Sequence, residues 1–206
     1  MALSIVNTTT AVQNTAATTI TINVPSGVVN GDVLVLMVMS NNGTWTTPSG
    51  WTVWLANSNN RAIYYRTASS EPASYTITQS ASQTASACMV ACNDAAIDVM
   101  GTVSANANPS VADSITTTAN GAFVFDYLAV NSANRTITLP AGYTSLASDS
   151  DGTSPSYHLI YTTQTTAGAT GTLSVSANGT IRSTLFSIIP GGGAITTGDF
   201  FFMMGA

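Results

Sequence analysis

The chain has 206 residues and a formal net charge of −5, and only 6% of its residues are charged. This length suffices for one large β-domain or two small ones with a substantial buried core. Nucleic-acid binding is excluded because it requires clustered basic side chains, whereas this chain has four scattered arginines and no lysine. Disorder is excluded as well, because 45% of the residues are hydrophobic and strongly patterned.

The N-terminal segment is polar and rich in threonine. Residues 1–16 are predicted to form an extended arm that can add a strand to a neighbouring subunit. They lack the basic and long apolar regions of a signal peptide, so we expect synthesis in the cytoplasm without one. After the arm, Ile20, Ile22 and Val24 alternate with polar residues, which predicts a half-buried strand that ends at Pro25.

From Gly31 onward the chain repeats one pattern twice. Each copy has a glycine turn, an apolar run, a Pro-small-Gly-aromatic-Thr turn and a strand containing tyrosine. The last three segments are residues 33–39, 48–52 and 63–67 in the first copy and 122–130, 140–144 and 159–162 in the second. Such a duplication predicts one β-architecture built from two pseudo-repeats, residues 17–94 and 113–190.

The apolar run at residues 33–39 is continuous, as expected for a strand that is buried on both faces. It is far too short to span a bilayer, so we expect no membrane contact. Turn residues separate the strands at regular intervals, and no window shows a helical period. The pattern therefore predicts an all-β antiparallel sandwich over residues 17–190.

Few residues suggest chemistry. The single histidine, His158, lies in a predicted strand without a nucleophile motif such as Gly-x-Ser-x-Gly, so no catalytic residue is assigned. Cys88 and Cys92 are too far apart along a strand for a disulfide and are predicted to be buried thiols. Residues 149–152 resemble the start of a calcium loop but lack the later ligands, which favours a polar turn. We expect no enzyme activity, cofactor or metal.

Three tryptophans lie close together in the sequence. Trp51 has an aromatic counterpart, Tyr143, in the second copy and is interpreted as structural. Trp45 and Trp54 have no such counterpart, which makes them candidates for contact with a glycan or a partner. Burial in the core or in an interface is the favoured alternative for both.

One carboxylate interrupts an apolar strand. Asp126 occupies the position that Leu36 has in the first copy. An unpaired buried carboxylate is costly, so Asp126 is expected either on a solvated face or paired, for example with an arginine. A further hypothesis is that this face packs differently in the two halves because only one of them contacts a partner.

The C-terminal segment, residues 191–206, begins with three glycines that predict a hinge. It continues to five large apolar residues, which are candidates for an assembly interface: Phe200, Phe201, Phe202, Met203 and Met204. These side chains would be a liability if exposed. They are expected either in a late strand of the same sandwich or against another subunit, and the hinge favours the second.

The order of these motifs resembles a known family. The chain is similar to jelly-roll-like β-sandwich domains of tailed-bacteriophage virion proteins. The similarity lies in the order Gly31-Asp32, the apolar run, the Pro-Ser-Gly-Trp-Thr turn, Tyr64-Tyr65-Arg66 and Tyr-Thr-Ile-Thr at residues 75–78. Such domains occur in tail fibres, appendages and capsid decorations. The resemblance covers residues 17–190 and implies a jelly-roll-like sandwich with a structural or adhesive role.

The resemblance implies a virion location and, as the first hypothesis, a capsid decoration or cement protein. Its partners would be copies of itself, with a trimer implied, and virion proteins such as the major capsid protein. An alternative is a tail-fibre or receptor-binding module that recognises cell-surface glycans through Trp45 and Trp54. A third hypothesis is an extracellular filament subunit whose C-terminal segment inserts into the next sandwich.

Overall fold

The computed structural model describes residues 2–58, 60–130, 132–133, 135–149 and 155–192. These residues form strands joined by turns and contain no helix, which confirms the predicted all-β class. The strands are β1 (Ser4–Asn23), β2 (Val33–Ser40), β3 (Thr52–Ser58), β4 (Arg61–Thr67), β5 (Ser74–Asn93), β6 (Ala95–Met100), β7 (Ser110–Ala112), β8 (Thr116–Thr117), β9 (Ala122–Val130), β10 (Ile137–Thr138), β11 (Thr144–Asp149), β12 (Ser156–Gln164), β13 (Gly168–Ala169), β14 (Leu173–Ala177) and β15 (Leu185–Pro190).

Two five-stranded antiparallel sheets dominate the structure. The first sheet has the strand order β1-β5-β2-β4-β3, and the second has the order β11-β12-β9-β15-β6. A three-stranded sheet, β10-β14-β7, and a two-stranded sheet, β13-β8, complete the described part of the fold. The strand pairings recorded between these elements are antiparallel, as the sequence predicts for a sandwich.

The two large sheets pack face to face and form what we call the interlayer core. Val35 and Met37 of β2 contribute to this core from the first sheet, and Phe125 and Phe186 contribute from the second. The alternate residues of β2, such as Leu36, point to the opposite face. Because successive side chains of a strand alternate between faces, a strand buried on both must be apolar throughout. The continuous run at residues 33–39 is confirmed as such a strand.

Each large sheet is also covered on its outer face. In the first half, β1 and β5 are 20 residues long, and their residues 17–23 and 74–80 form an outer ribbon. Ile20 and Ile77 of this ribbon share a hydrophobic cluster with Leu36 of the first sheet. In the second half, Val175 of the three-stranded sheet shares a cluster with outward-facing residues of the second sheet. The sandwich therefore has four layers.

The two halves have equivalent strand orders and turns. In both copies of the Pro-x-Gly-aromatic turn, the backbone N–H of the aromatic residue donates to the proline carbonyl at 3.1 Å. The pairs are Trp51 with Pro48 and Tyr143 with Pro140. The glycine before each aromatic residue has a φ of about +80°, which glycine adopts without strain. That the halves derive from one duplicated unit, and that the fold is jelly-roll-like, remain predictions.

The segment predicted to be an N-terminal arm belongs to the chain's own first sheet. Residues 4–13 of β1 pair with residues 85–93 of β5. The reason is the length of β5, which extends beyond β2 and provides pairing partners for the whole of β1.

At the C-terminal end of the described residues, the Gly191 N–H donates to the Asp94 carbonyl at 2.6 Å. Residues 193–206 lie outside the described residues.

We expect Phe186→Ala to lower the free energy of unfolding by about 3–5 kcal/mol, because it opens a cavity in the interlayer core. The Phe186 ring stacks on Phe125 with centroids 5.0 Å apart and contacts Trp54 edge to face. Leu139→Ala is the matched control, since Leu139 is exposed, and should change stability by less than about 0.5 kcal/mol. Urea unfolding measures both, and equal effects would contradict the assigned interlayer core.

Candidate functional site

The structure places Trp45 in the core of the first half, where its side chain is 4% exposed. The indole Nε1–H donates to the Asn60 carbonyl at 3.2 Å. Asn57 holds the backbone of Trp45 on both sides, since its Oδ1 accepts from the Trp45 N–H and its Nδ2 donates to the Trp45 carbonyl. The ring therefore anchors the loop after β2, and it presents no open face on which a sugar could stack.

Trp54 lies at the rim of the interlayer core and is half-buried. Its ring makes edge-to-face contacts with Tyr65 of the first sheet and Phe186 of the second, with centroids 5.6 Å and 5.3 Å apart. Trp54 thus joins the two sheets. The burial of Trp45 agrees with the favoured alternative for that residue, and contact of Trp54 with a glycan or a partner remains a prediction.

Trp51, interpreted as structural, is buried at a polar and aromatic corner. Its ring meets Tyr75 edge to face at 5.2 Å, and the Arg66 guanidinium carbon lies 5.9 Å from the Trp51 ring centroid. Arg66 also pairs with Glu71 at 3.1 Å and donates to the Tyr75 hydroxyl at 2.7 Å. Glu71 accepts from the same hydroxyl. Burial and the hydrogen bond to Glu71 raise the pKa of Tyr75 to about 12.

The remaining sequence candidates fall into three places. Phe200, Phe201, Phe202, Met203 and Met204 lie outside the described residues. His158 is almost fully buried, its Nε2 is hydrogen-bonded to the Arg135 carbonyl at 2.6 Å, and burial lowers its pKa. Cys88 and Cys92 are confirmed as buried free thiols, and burial raises the pKa of each to about 12. Thiols of this kind are poor nucleophiles at neutral pH.

Metal binding finds no support in the described part of the chain. In the calcium-like sequence at residues 149–152, only Asp149 is among the described residues. No group of three or more histidine, cysteine, aspartate or glutamate side chains suitable for a metal ion occurs among the described residues. In that same part of the chain, no helix is long and apolar enough to cross a membrane.

A buried arginine connects the two large sheets. Arg61, at the start of β4, is fully buried and reaches from the first sheet to the second. Its Nη2 donates to the Ala129 carbonyl at 2.5 Å and its Nη1 to the Arg182 carbonyl at 3.3 Å. Burial lowers the pKa of Arg61 to about 10, so the side chain stays charged at neutral pH. Carbonyl dipoles therefore solvate this cation inside the sandwich.

Two tyrosines lie beside this arginine in the interlayer core. The guanidinium carbon of Arg61 is 6.0 Å from the Tyr127 ring centroid, at the limit for a cation–π contact. The rings of Tyr127 and Tyr157 are 5.9 Å apart, and the Tyr157 hydroxyl donates to the Ala87 carbonyl at 3.4 Å. Burial raises the pKa of both tyrosines. Since these groups are fully buried, they join the sheets and are not open to a substrate.

Asp126 lies on the outer face of the second sheet and is fully buried, so the solvated alternative is wrong. Its carboxylate accepts from the Ser183 hydroxyl at 2.6 Å and from the Thr184 N–H at 2.9 Å. These groups are its hydrogen-bond partners, and Arg61 contributes only a longer-range attraction. The difference from Leu36 is thus explained by contacts within the chain and requires no partner.

Sequence reasoning missed the role of Arg61. One signal was available. Arg61 directly precedes the apolar residues 62–64, which predicts that it lies at the start of a buried strand. The partners of Arg61 were not predictable, because carbonyl acceptors carry no sequence signature. For Asp126, the partner Ser183 is 57 positions away and lies in one of many serine-containing stretches.

The outer layers carry hydroxyl side chains. On the outer ribbon, Thr19 pairs with Thr78 and Thr21 with Thr76, and these four side chains are exposed. The hydroxyls of Thr21 and Thr76 are 3.0 Å apart. On the three-stranded sheet, the exposed residues Thr138, Ser174 and Ser176 form a similar surface. Both outer faces are therefore polar and, at these positions, uncharged.

Comparisons with protein-family models, curated proteins and solved structures found no match to this chain.

We expect Asp126 to make stability fall as the pH rises. Burial raises the pKa of Asp126 from 3.8 to about 6, so the folded state binds this proton more tightly than the unfolded state does. The stabilisation is complete below the unfolded pKa and is lost as the pH passes through the folded pKa. The difference corresponds to about 3 kcal/mol.

Asp126→Asn tests this dependence, because the amide has nearly the same shape as the carboxyl group and does not ionise. We expect the unfolding free energy of the wild type, minus that of the variant, to fall by about 3 kcal/mol between about pH 3 and pH 7. The opposite contribution of His158, whose pKa is lowered, is common to both proteins. A pH-independent difference in urea unfolding would contradict the assignment.

We expect Arg61→Lys to destabilise the fold more than Arg61→Met does. A lysine cannot reproduce the two-pronged contact with the Ala129 and Arg182 carbonyls, so it leaves a poorly solvated cation at a cost of about 3 kcal/mol. Methionine places an apolar chain in an apolar layer. The two carbonyls keep their backbone donors, because Ala129 and Arg182 also bond each other. Thermal and urea unfolding give the order, and a larger loss in the methionine variant would contradict this account.

Proposed function

We propose that this chain is a structural protein of a tailed-phage virion, and specifically a capsid decoration or cement protein that acts through subunit contacts. Its partners are copies of itself and other virion proteins such as the major capsid protein. The motif order at residues 31–78 supports the family, and the antiparallel sandwich is consistent with it. No enzymatic step is part of the proposal.

The observation that carries the proposal is the distribution of polar groups. The charged side chains of Arg61 and Asp126 are buried between or behind the sheets, where they fix the layers. The outer faces instead present threonine and serine hydroxyls, such as those of Thr21 and Thr76. Hydroxyl surfaces can hydrogen-bond to a neighbouring subunit without the cost of desolvating a charge. This arrangement suits a rigid module that contacts other subunits.

The two alternatives keep weaker support. The glycan-binding module depends on Trp45 and Trp54, and the rings of both are engaged by the chain's own residues. The filament subunit depends on residues 194–206, which lie outside the described residues. Neither alternative is favoured by a contact in the described part of the chain.

The test is binding of the purified protein to virus particles of its source from which it has been stripped. Because the proposed contacts are uncharged, we expect the bound amount to change little between about 0.05 and 1 M salt, a range over which exposed ion pairs are screened. Sedimentation followed by mass spectrometry measures the protein relative to the major capsid protein. Absence from native particles, or release by high salt, would contradict the proposal.

A further inference from the structure

The four edges of the two large sheets differ in how they are protected. Natural sheets block their edges with charges, irregular pairing or short strands. β3 changes register twice against β4, and β11 is six residues long and has one such change. β6 carries Asp98, whose carboxylate accepts hydrogen bonds from Thr118. Three of the four edges therefore carry a recognisable protective feature.

The fourth edge, β1, has a segment without such protection. Its 20 residues include no charged residue and no proline. Its pairing with β5 shifts register near residues 5–7 and 13–19 but is unbroken from Asn7 to Gln13. Residues 7–13, Asn-Thr-Thr-Thr-Ala-Val-Gln, are rich in threonine and include a valine, which favour extended structure. Apart from the Thr8 N–H, which donates to Asn7 Oδ1 at 2.8 Å, they offer a second strand an uncharged row of backbone donors and acceptors.

The inner face of this edge is also incompletely covered. Thr10 pairs with Cys88, and Val12 pairs with Ser86, and both of these β5 residues are fully buried. Directly paired residues point to the same face of a sheet, so Thr10 and Val12 face the side on which the second sheet packs. Both are nevertheless exposed, and Val12 keeps 38% of its surface accessible. The second sheet therefore covers the start of β1, where Ile5 packs into the interlayer core, but leaves Thr10 and Val12 open.

We propose that residues 7–13 of β1 are a self-association edge, at which a second copy of this chain pairs antiparallel through the same residues. The proposal deepens the proposed function, on which it rests, by naming one of the subunit contacts. A two-fold arrangement uses the same surface on both copies. It would join the two first sheets into one ten-stranded sheet, and it would place another strand beside the uncovered Val12.

Charge favours a second copy as the occupant. The chain has a net charge of −5, so copies repel each other unless their contact avoids the acidic side chains. The whole of β1 is uncharged, and residues 85–93 of β5 beside it contain no charged residue either. The β1 edge therefore lets two copies approach through neutral strands.

The experiment measures the mass of the full-length protein by light scattering, at concentrations up to about 100 μM, which covers micromolar affinities. The chain has a mass of 21.1 kDa, so a pair has twice that, about 42 kDa. We expect the wild type to form this pair and the double variant Thr10→Lys, Val12→Lys to be a monomer, because like charges directly beside the pairing edge repel. A wild-type monomer, or a lysine variant that remains paired, overturns the proposal.

The matched control is the double variant Thr165→Lys, Thr166→Lys. It adds the same charge to two exposed threonines in the turn between β12 and β13, outside the pairing edge and outside the hydroxyl surfaces of the outer layers. We expect this control to remain paired. Its dissociation would mean that added charge alone separates the copies, and would overturn the assignment to residues 7–13.

Two further measurements keep the outcome decisive. Amide hydrogen exchange of the wild type should slow in residues 7–13 as the concentration rises, which requires no substitution and covers the case of a misfolded variant. Exchange that is independent of concentration there overturns the proposal.

A version ending at residue 192 should remain paired, and a monomer would assign the contact to the C-terminal segment instead. Binding to stripped particles by a protein that is monomeric in solution overturns this edge and leaves the proposed function standing.

Discussion

The contact between the inner faces of the two large sheets is the constraint on which the rest of the structure depends. Each sheet is apolar on the inner face, so neither is stable in water without the other. β2 and β9 lie near the centre of their sheets and are covered on both sides, which favours apolar residues throughout, and Asp126 of β9 is the one charged exception in the two strands. The outer layers then complete the burial, and the long strands β1 and β5 pass from the first sheet into its outer ribbon. The fold is thus four layers deep because its central strands have no polar face.

That constraint also explains how charge is treated inside the sandwich. Arg61 enters the interlayer core as a cation, and the two carbonyls that receive it already belong to a backbone pairing between Ala129 and Arg182. Asp126 lies one layer further out, where a hydroxyl and a backbone N–H replace water around the carboxylate. Neither group has an opposite charge within hydrogen-bond distance among the described residues, so each depends on dipoles fixed by the surrounding strands. Both charges therefore require the sheets to keep one alignment, since a shift of register would remove their partners.

The sequence predicted what short-range patterns determine, and it did not predict what depends on distant contacts. The doubly buried strand at residues 33–39 and the two glycine-dependent turns before Trp51 and Tyr143 follow from local composition, and the structure has them. The assignment of residues 1–16 as an arm differs from the structure because a threonine-rich strand looks alike whether its partner is β5 or a neighbouring subunit. Trp45 was a candidate for exposure because it lacks an aromatic counterpart, yet its position is set by Asn57 and Asn60, which no periodicity reveals. The partners of Asp126 are likewise determined by tertiary structure.

The same features lead from the fold to assembly. A chain in which only 6% of the residues are charged has few charges with which to protect its sheet edges, although charge is a common means of protection. The chain meets this problem differently at each edge, with irregular pairing at β3, a short strand at β11 and Asp98 at β6. At residues 7–13 the pairing is regular, the side chains are neutral and the inner face is partly uncovered. An edge of this kind pairs with other strands unless a partner occupies it, which is the reason for proposing a subunit contact there.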